Sequence, residues 1–139
     1  MFEPAAQLDN PHVPPPPEET TVFHVDDDQS YLDLTAAWLK RNNEDFRILS
    51  EADPTAASDR IESIEPDCIV SDYDMPKMDG LELHAKLRTR GVDCPFILFT
   101  GKGSESIASK VMSADVTNYI QKGGTDVYNL LANHISDAV

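Results

Sequence analysis

The sequence predicts an α/β domain in which five parallel strands form a doubly wound sheet with helices on both faces. Five strand-like segments alternate with five helical periodicities from Thr21 onward, and this pattern is typical of right-handed crossovers between parallel strands. Three central segments are almost wholly apolar, as expected for strands that helices cover on both sides. The predicted strands span residues 21–25, 46–50, 68–71, 96–99 and 117–121.

The helical segments that follow these strands carry apolar residues at the spacing of one helix face. In the first helix, Tyr31, Leu34 and Trp38 form the predicted buried stripe. The stripes of the later helices are Ala57, Ile61 and Ile64; Leu83 and Leu87; Ile107, Val111 and Ala114; and Val127, Leu130, Leu131, His134 and Ile135. We therefore expect five helices, each packed on the sheet by one apolar face.

The charge balance is strongly acidic, with 25 Asp and Glu residues, 11 Lys and Arg residues and a net charge of −14. Direct nucleic-acid binding and docking on an anionic membrane both need clustered basic residues, so the composition argues against both. Many carboxylates repel one another at low salt, whereas about 1 M salt shortens the screening length to roughly 3 Å. The composition therefore predicts a halophile-type adaptation to a salt-rich cytoplasm.

The chain divides into two predicted parts. Residues 1–20 hold most of the prolines, including the run Pro14–Pro17, and such a segment favours extended polyproline geometry over a packed core. We expect a disordered leader there and a single domain over residues 21–139. No segment approaches the ~18 consecutive apolar residues of a membrane span, and the amino terminus has no signal-peptide pattern, so a cytoplasmic location is expected.

Two isolated residues, Cys68 and His24, are predicted to have structural roles. Cys68 and Cys94 have neither a metal-ligand spacing nor a disulfide framework, and Cys68 is expected to be a small buried hydrophobe. His24 lies within the first strand, and we expect a buried histidine with satisfied hydrogen bonds rather than a phosphocarrier.

Four of the predicted strands end in polar residues that suit a magnesium-dependent phosphoryl site. Asp26 and Asp27 follow the first strand, and Asp72, Thr100 and Lys122 each follow a later one. Open α/β sheets bind ligands at the carboxyl ends of their strands, near the point where strand order reverses. Adjacent carboxylates there raise each other's pKa unless a cation compensates them, and Mg²⁺ is a hard cation that carboxylates and water bind. The sequence therefore predicts a Mg²⁺ site with a hydroxyl and an amine within reach.

Several neighbouring residues have an explanation in turn chemistry. Asp28 is interpreted as a helix cap, and Asp79 as the cap of the third helix. Pro76 forces an extended or turn conformation on the residue before it, so the third strand must end ahead of it. Turn chemistry does not explain why Asp72 and Asp74 stand beside the acids of the first strand.

With these residues, the chain resembles the receiver domain of two-component response regulators. The resemblance covers about residues 21–138 and rests on four motifs in family order. They are Val-Asp-Asp-Asp at 25–28, Ser-Asp-Tyr-Asp-Met-Pro-Lys-Met-Asp-Gly at 71–80, Phe-Thr-Gly at 99–101 and Tyr-Ile-Gln-Lys at 119–122. The resemblance implies a flavodoxin-like fold with strand order 2-1-3-4-5. It also implies two partners: a histidine kinase or phosphotransfer protein as donor, and a downstream output protein or domain.

The resemblance assigns a role to each site residue. Asp72 would be the nucleophile that takes a phosphoryl group from a phosphohistidine and becomes an aspartyl phosphate. Asp27, Asp72 and the backbone carbonyl of Asp74 would bind Mg²⁺ directly, and Asp26 would act largely through water. Lys122 would contact a phosphoryl oxygen. Such a chain is not a turnover enzyme, because it assists only its own phosphorylation and dephosphorylation.

The resemblance also implies a conformational switch made of Thr100 and Tyr119. The Thr100 hydroxyl would move toward a phosphoryl oxygen, because phosphorylation adds negative charge and strong acceptor oxygens. Tyr119 would rotate into the vacated space and repack the face formed by the fourth helix, the fifth strand and the fifth helix. Partners would read the phosphorylation state on that face.

Two features depart from the common family pattern or vary within it. Many members have a proline after the lysine, often with a cis peptide bond, whereas here Lys122 precedes Gly123 and Gly124. A non-proline cis bond costs ~2.5–4 kcal/mol, so we expect a trans bond, with the freedom of glycine directing the lysine. We further hypothesise that Asp74 and Lys102 form an ion pair over the phosphoryl group and hinder the hydrolytic water.

Two other readings fit parts of the sequence. Asp72-Tyr73-Asp74 matches the Asp-x-Asp core of haloacid-dehalogenase-type phosphatases, although the order of the acidic motifs along the chain is reversed here. The chain could also be a degenerate receiver that acts only as a protein-interaction module, independently of phosphorylation. Steady turnover of a phosphomonoester would indicate the first reading, and a failure to bind Mg²⁺ would favour the second.

Overall fold

A computed structural model describes residues 19–101, 105–114, 116–123 and 126–139. Strands and helices alternate throughout this part of the chain. The elements are β1 (Thr20–Val25), α1 (Gln29–Asn42), β2 (Phe46–Glu51), α2 (Pro54–Ile64), β3 (Cys68–Ser71), α3 (Gly80–Thr89), β4 (Phe96–Thr100), α4 (Glu105–Ser113), β5 (Asn118–Gln121) and α5 (Val127–Ala138). Two expectations lie outside the described residues: the leader up to residue 18, and the pairing of Asp74 with Lys102.

The five strands form one parallel sheet with the order β2-β1-β3-β4-β5. Both the predicted fold class and the strand order 2-1-3-4-5 are confirmed. β3 has the predicted bounds, and each of the other four strands differs from its prediction by a single residue at one end; β1, for example, begins at Thr20 and pairs there with Phe46. Because Val25 lies beside Ser71 in the register, β1 and β3 end level with each other at the same edge.

Side chains alternate between the two faces of the sheet and build two apolar layers. The first layer packs against α1 and α5, and its buried residues are Val22, Leu39, Phe46, Ile48, Cys68, Val70, Ile97, Phe99, Ile120, Leu131, Ala132 and Ile135. The second packs against α2, α3 and α4, and its buried residues are Phe23, Val25, Ala57, Ile61, Ile69, Met75, Leu83, Leu87, Phe96, Leu98 and Ile107. Every residue of β3 and β4 is buried, as expected for strands that helices cover on both sides.

Aspartate side chains cap the starts of α1, α2 and α3, and the caps are Asp28, Asp53 and Asp79. The Asp28 carboxylate accepts a hydrogen bond from the Ser30 amide at 3.0 Å at the start of α1. Asp79 and Glu82 form a reciprocal capping box at the start of α3, with bonds of 2.8 and 2.9 Å. The predicted capping roles of Asp28 and Asp79 are confirmed. None of the helices in the described ranges is long and apolar enough to cross a membrane.

The buried face of α1 differs from the predicted stripe. Its buried residues are Leu32, Thr35 and Leu39, whereas Leu34 is 56% exposed. The predicted residues and the buried residues both have the i, i+3, i+7 spacing. Because the buried set includes the polar residue Thr35, its apolar periodicity is weaker in the sequence. The Thr35 hydroxyl donates a hydrogen bond to the Tyr128 hydroxyl on α5 at 3.2 Å, so its burial leaves the hydroxyl with a partner.

Candidate functional site

Three carboxylates meet at the carboxyl edge of the sheet. Asp26 and Asp72 follow the neighbouring strands β1 and β3, and Asp27 follows Asp26. One carboxylate oxygen from each of the three lies within 4.8 Å of the others. Asp26 is fully buried and Asp72 is 8% exposed, whereas Asp27 is open to solvent. The structure therefore brings together the three acids that the sequence predicted at this edge.

Lys122 inserts its amine between two of these acids. Its Nζ lies 2.5 Å from Asp26 Oδ2 and 3.6 Å from Asp72 Oδ2, and the side chain is only 7% exposed. The Lys122 amide donates a hydrogen bond to the Thr100 carbonyl at 2.9 Å, which fixes the backbone at the end of β5 against β4. The bond from Lys122 to Gly123 is trans, as expected, because the described backbone contains no cis peptide bond.

The electrostatics of the cluster favour a further cation. Burial raises the pKa of Asp26, while the hydrogen bond from Lys122 opposes that rise and the nearby charge of Asp72 adds to it. Three carboxylates and one ammonium group leave an excess of negative charge in a largely buried cleft. Carboxylate oxygens are the ligands that Mg²⁺ prefers, so the residues present fit that ion.

Local hydrogen bonds orient Asp72. Its amide donates to the Val25 carbonyl at 2.9 Å, which aligns the end of β3 with β1. Oδ1 of Asp72 accepts a bond from the Tyr73 amide at 2.8 Å, and the Ser71 hydroxyl donates to the Asp72 carbonyl at 2.8 Å. Oδ2 is the oxygen of Asp72 that faces the Lys122 amine, so the carboxylate presents one oxygen to the cleft.

Gly80 allows α3 to begin very close to Asp72. The Gly80 amide donates a hydrogen bond to the Tyr73 carbonyl at 2.8 Å. A Cβ atom at Gly80 would overlap the backbone carbonyl oxygen of Asp72 and would lie 2.8 Å from Leu98 Cδ1. Glycine is therefore required here by close backbone approach. The sequence pattern indicated only a helix start at this position.

Thr100 and Tyr119 lie on the same face of the sheet. Thr100 ends β4 and is 1% exposed, and Tyr119 is half-buried on β5 against the second apolar layer. Leu98 pairs with Tyr119 in the register of the two strands, and side chains two residues apart on a strand share a face. The threonine at the cleft and the tyrosine behind it are thus diagonal neighbours across two strands.

One cleft collects all the predicted site residues except Tyr119, which lies behind it. Its lining residues are Asp26, Asp27, Asp28, Tyr31, Asp72, Asp74, Thr100, Gly101 and Lys122. Tyr31 is the residue that the sequence analysis missed at the site, because its apolar ring fitted a helix stripe. The Lys122 Nζ lies 4.0 Å from the centre of the Tyr31 ring. The sequence feature that could have indicated Tyr31 is its position in the first turn of the helix that follows Asp26 and Asp27.

His24 is buried as predicted, but the described residues do not supply the expected hydrogen bonds. Neither ring nitrogen has a partner within the part of the chain that the structure describes. Burial, assisted by the positive charge of Lys122, lowers the pKa of His24 to about 3. The side chain shares a strand face with Val22 and lies near the Phe99 ring, at 6.4 Å between ring centres. A strand pattern shows that such a residue is buried, but it cannot show that its neighbours are apolar.

The fold and the site together define a flavodoxin-like domain with an acidic, lysine-containing cleft at the switch point of its sheet. Residues 22–132 match the family model of the response regulator receiver domain. The chain belongs to this family, whose members serve in two-component signalling.

Curated relatives extend well beyond the matched segment. Response regulator MprA of Mycobacterium avium (strain 104) is 33% identical over 101 residues, which cover 73% of this chain and 43% of MprA. Response regulator MprA of Mycobacterium sp. (strain KMS) is 32% identical with the same coverage. The match therefore spans less than half the length of these relatives.

Solved structures show the same fold. The chemotaxis protein CheY4 of Vibrio cholerae has a TM-score of 0.77 at 20% identity and covers 87% of this chain and 99% of its own. A DNA-binding response regulator of the LuxR family from Staphylococcus aureus has a TM-score of 0.77 at 25% identity, with 86% and 98% covered. The structure named FixJ-N has a TM-score of 0.76 at 26% identity, with 88% and 97% covered.

Proposed function

We propose that the chain is a phosphoacceptor switch of a two-component system, in which Asp72 takes a phosphoryl group from a histidine kinase or a phosphotransfer protein. The observation that carries this proposal is the meeting of one buried amine with three carboxylates in a single cleft. Of the two acids that contact the Lys122 amine, Asp26 is fully buried, whereas Asp72 is 8% exposed and is therefore the one that a phosphoryl donor can reach. This arrangement supports a nucleophile beside a group that can neutralise phosphoryl charge.

The transfer needs only positioning and charge neutralisation. Oδ2 of Asp72 attacks the phosphorus atom of a phosphohistidine, a P–O bond forms, and the P–N bond breaks as the imidazole leaves with the bonding electrons. Lys122 lies 3.6 Å from the attacking oxygen, so its ammonium group can contact an oxygen of the phosphoryl group as it arrives. The Thr100 hydroxyl lines the same cleft and can donate to a second oxygen.

Asp26, Asp27, Asp72 and the backbone carbonyl of Asp74 are the groups that would hold Mg²⁺. A bound Mg²⁺ ion would neutralise negative charge on the phosphoryl oxygens. Two observations support this assignment: the close approach of the three carboxylates and the raised pKa of the buried Asp26. Asp27 is the most exposed of the three acids, so its carboxylate is open to a cation that enters from solvent.

Thr100 and Tyr119 form the proposed relay to the surface. A phosphoryl group on Asp72 draws the Thr100 hydroxyl toward it, and Tyr119 turns inward on the same face of the sheet. The diagonal placement of the two side chains across β4 and β5 supports this step. The surface formed by α4, β5 and α5 would then present a different shape to an output protein or domain.

The chain acts in this proposal only on its own aspartyl phosphate, as a switch rather than a turnover enzyme. A degenerate interaction module is the weaker reading, because the acids, the hydroxyl and the lysine are all present and close together. A phosphatase of the haloacid-dehalogenase type is disfavoured by the family membership.

Intact mass after incubation with acetyl phosphate tests the proposal. We expect wild type to gain one phosphoryl group only when Mg²⁺ is present, with acetate leaving as the P–O bond of the donor breaks. Asp72→Asn should gain none, whereas the matched control Asp93→Asn should behave as wild type, because Asp93 is exposed at the opposite edge of the sheet. A folded wild type that gains no mass in high salt would indicate the interaction module instead.

A further inference from the structure

Lys122 lies against aromatic rings as well as between acids. Its Nζ is 4.0 Å from the centre of the Tyr31 ring and 5.7 Å from that of Phe99. An ammonium group within about 6 Å of a ring centre is attracted by the ring face, and the attraction strengthens when the pair is removed from water. The Lys122 side chain is only 7% exposed, so the contact with Tyr31 is largely desolvated.

The backbone of Lys122 does not by itself fix the position of the amine. The chain continues into Gly123, whose φ is +86°, and glycine reaches this region without steric cost. The amide of Lys122 is bonded to Thr100, but four rotatable bonds separate that amide from Nζ. The position of the amine is therefore set by the groups that surround it in the cleft.

The acids alone would draw the amine away from the phosphoacceptor. Nζ lies 2.5 Å from Asp26 but 3.6 Å from Asp72, so the stronger ionic contact is with Asp26. The attraction of a neutral ring does not depend on the charge or the partners of Asp26. A ring at this position can keep the amine beside Asp72 when the charge or the partners of Asp26 change.

Tyr31 is itself well anchored at the site. It lies in the first turn of α1, where its amide donates to the Asp28 carbonyl at 3.1 Å. The Asp28 amide in turn donates to Asp26 Oδ1 at 2.9 Å. The ring and the buried acid therefore belong to one loop that is held by consecutive hydrogen bonds, and both contact the same amine.

We propose that Tyr31 is a positioning residue for phosphoryl transfer, whose ring holds the Lys122 ammonium group beside Asp72. This role rests on the proposed function of the cleft. It gives Lys122 a fixed location that neither the glycine after it nor the ion pair with Asp26 provides. The hydroxyl of Tyr31 is not part of the role, because a ring face alone attracts the cation.

The rate of phosphorylation by acetyl phosphate at saturating Mg²⁺ tests this role. Tyr31→Leu should lower the rate about tenfold, the size expected for a desolvated cation–ring contact. Tyr31→Phe should recover most of the wild-type rate, because it keeps the ring. The Mg²⁺ concentration at half-maximal rate should stay the same in both variants, since the proposed contact is with the amine rather than with the carboxylates.

A spectroscopic measurement reads the contact itself. In wild type and Tyr31→Phe, the Cε protons of Lys122 should show the upfield NMR shift of a group above a ring, and Tyr31→Leu should lose it. Trp38→Leu is the matched control, because it removes another α1 ring, one that stacks on Tyr128 at 5.6 Å between ring centres. It should retain both the wild-type rate and the upfield shift.

The outcomes separate this role from the function on which it rests. A normal wild type together with a Tyr31→Leu variant that reacts at the same rate would overturn the role of Tyr31 alone. A slow Tyr31→Phe variant would also overturn it, because the ring is then insufficient. A wild type that takes no phosphoryl group would overturn the proposed function and this role together.

Discussion

The two edges of the sheet use polar residues in opposite ways. At the amino edge, backbone and side chain pair reciprocally: the Thr21 amide donates to Asp67 Oδ2 at 2.7 Å, and the Asp67 amide donates to the Thr21 carbonyl at 2.9 Å. Phe96 and Thr117 repeat this arrangement across β4 and β5, with bonds of 3.0 and 2.8 Å. Each of these contacts satisfies a backbone group at a strand start, so the polar residues here stabilise the fold.

At the carboxyl edge, polar groups compete for too few partners. Asp26 and Asp72 share the Lys122 amine, burial raises the pKa of Asp26, and His24 has no hydrogen-bond partner within the described ranges. Such unfavourable placements are expected where a site is built for a ligand rather than for stability. Polar residues at the amino edge therefore stabilise the fold, whereas those at the carboxyl edge form the candidate functional site, and substitutions at each edge test this difference.

The largest expected effect is on acid stability and involves His24. Its pKa is about 3 in the folded protein and 6.5 when unperturbed, so between these pH values the unfolded chain binds a proton that the folded protein does not. Stability therefore falls as the pH drops below 6.5, by about 2 kcal/mol at pH 5. His24→Val removes this loss and suits a buried strand.

Urea unfolding at pH 7 and pH 5 measures this difference. We expect the free energy of unfolding to depend less on pH in His24→Val than in wild type over this interval. An identical pH dependence in the two proteins would mean that His24 does not destabilise the folded protein at low pH. The carboxyl edge would then lack one of the unfavourable placements that distinguish it from the amino edge.

Two glycine substitutions place a similar perturbation at each edge. Gly80→Ala drives a Cβ into the Asp72 carbonyl and should cost about 1–3 kcal/mol of stability, the usual size of an overpacking change. It should also slow phosphorylation, because the backbone of Asp72, the proposed phosphoacceptor, must move. Gly91→Ala forces a side chain into a φ of +84° before β4, at a cost of roughly 1–2 kcal/mol, and should leave the phosphorylation rate unchanged. Similar phosphorylation rates in the two variants would contradict the expectation that only the carboxyl edge affects phosphorylation.

The fold could be predicted from the sequence because its signals are repetitive. Alternation of apolar strands and helices fixes the parallel architecture, and the end of each strand locates a polar residue at the same edge. Asp26, Asp72, Thr100 and Lys122 could therefore be placed together without knowledge of any distance. The capping roles of Asp28 and Asp79 follow equally from local chemistry.

The features that could not be predicted from the sequence depend on contacts between segments that are distant along the chain. Two rows of α1 share the helical spacing, and only packing on the sheet decides that Leu32 is buried and Leu34 is exposed. Tyr31 fits an apolar helix stripe in the sequence, and its contact with Lys122 arises only because the fold places the end of β5 beside α1. The steric demand at Gly80 arises from the Asp72 carbonyl, whose approach no residue spacing reveals.

A moderate effect is expected from neutralising the buried acid. Its raised pKa means that ionised Asp26 destabilises the folded protein above that pKa, so Asp26→Asn should raise the free energy of unfolding at pH 7. A gain on the order of 1 kcal/mol corresponds to roughly 4 °C in Tm for a domain of this size. Added Mg²⁺ should raise the Tm of wild type but have less effect on Asp26→Asn, and Asp93→Asn serves as the control. A lower Tm for Asp26→Asn would show that its ion pair with Lys122 outweighs the cost of burial.

The smallest effect is expected at the amino edge. Thr117→Val removes the hydroxyl that accepts a bond from the Phe96 amide, whereas Thr117→Ser retains it. Because Thr117 is exposed, water can replace part of the lost bond, and the cost should be about 0.5–1 kcal/mol in urea unfolding. The phosphorylation rate should not change, since the described residues of this edge do not line the cleft. If Thr117→Val slowed phosphorylation while Thr117→Ser did not, the start of β5 would influence the position of Lys122 at its end, and the two edges would not be independent.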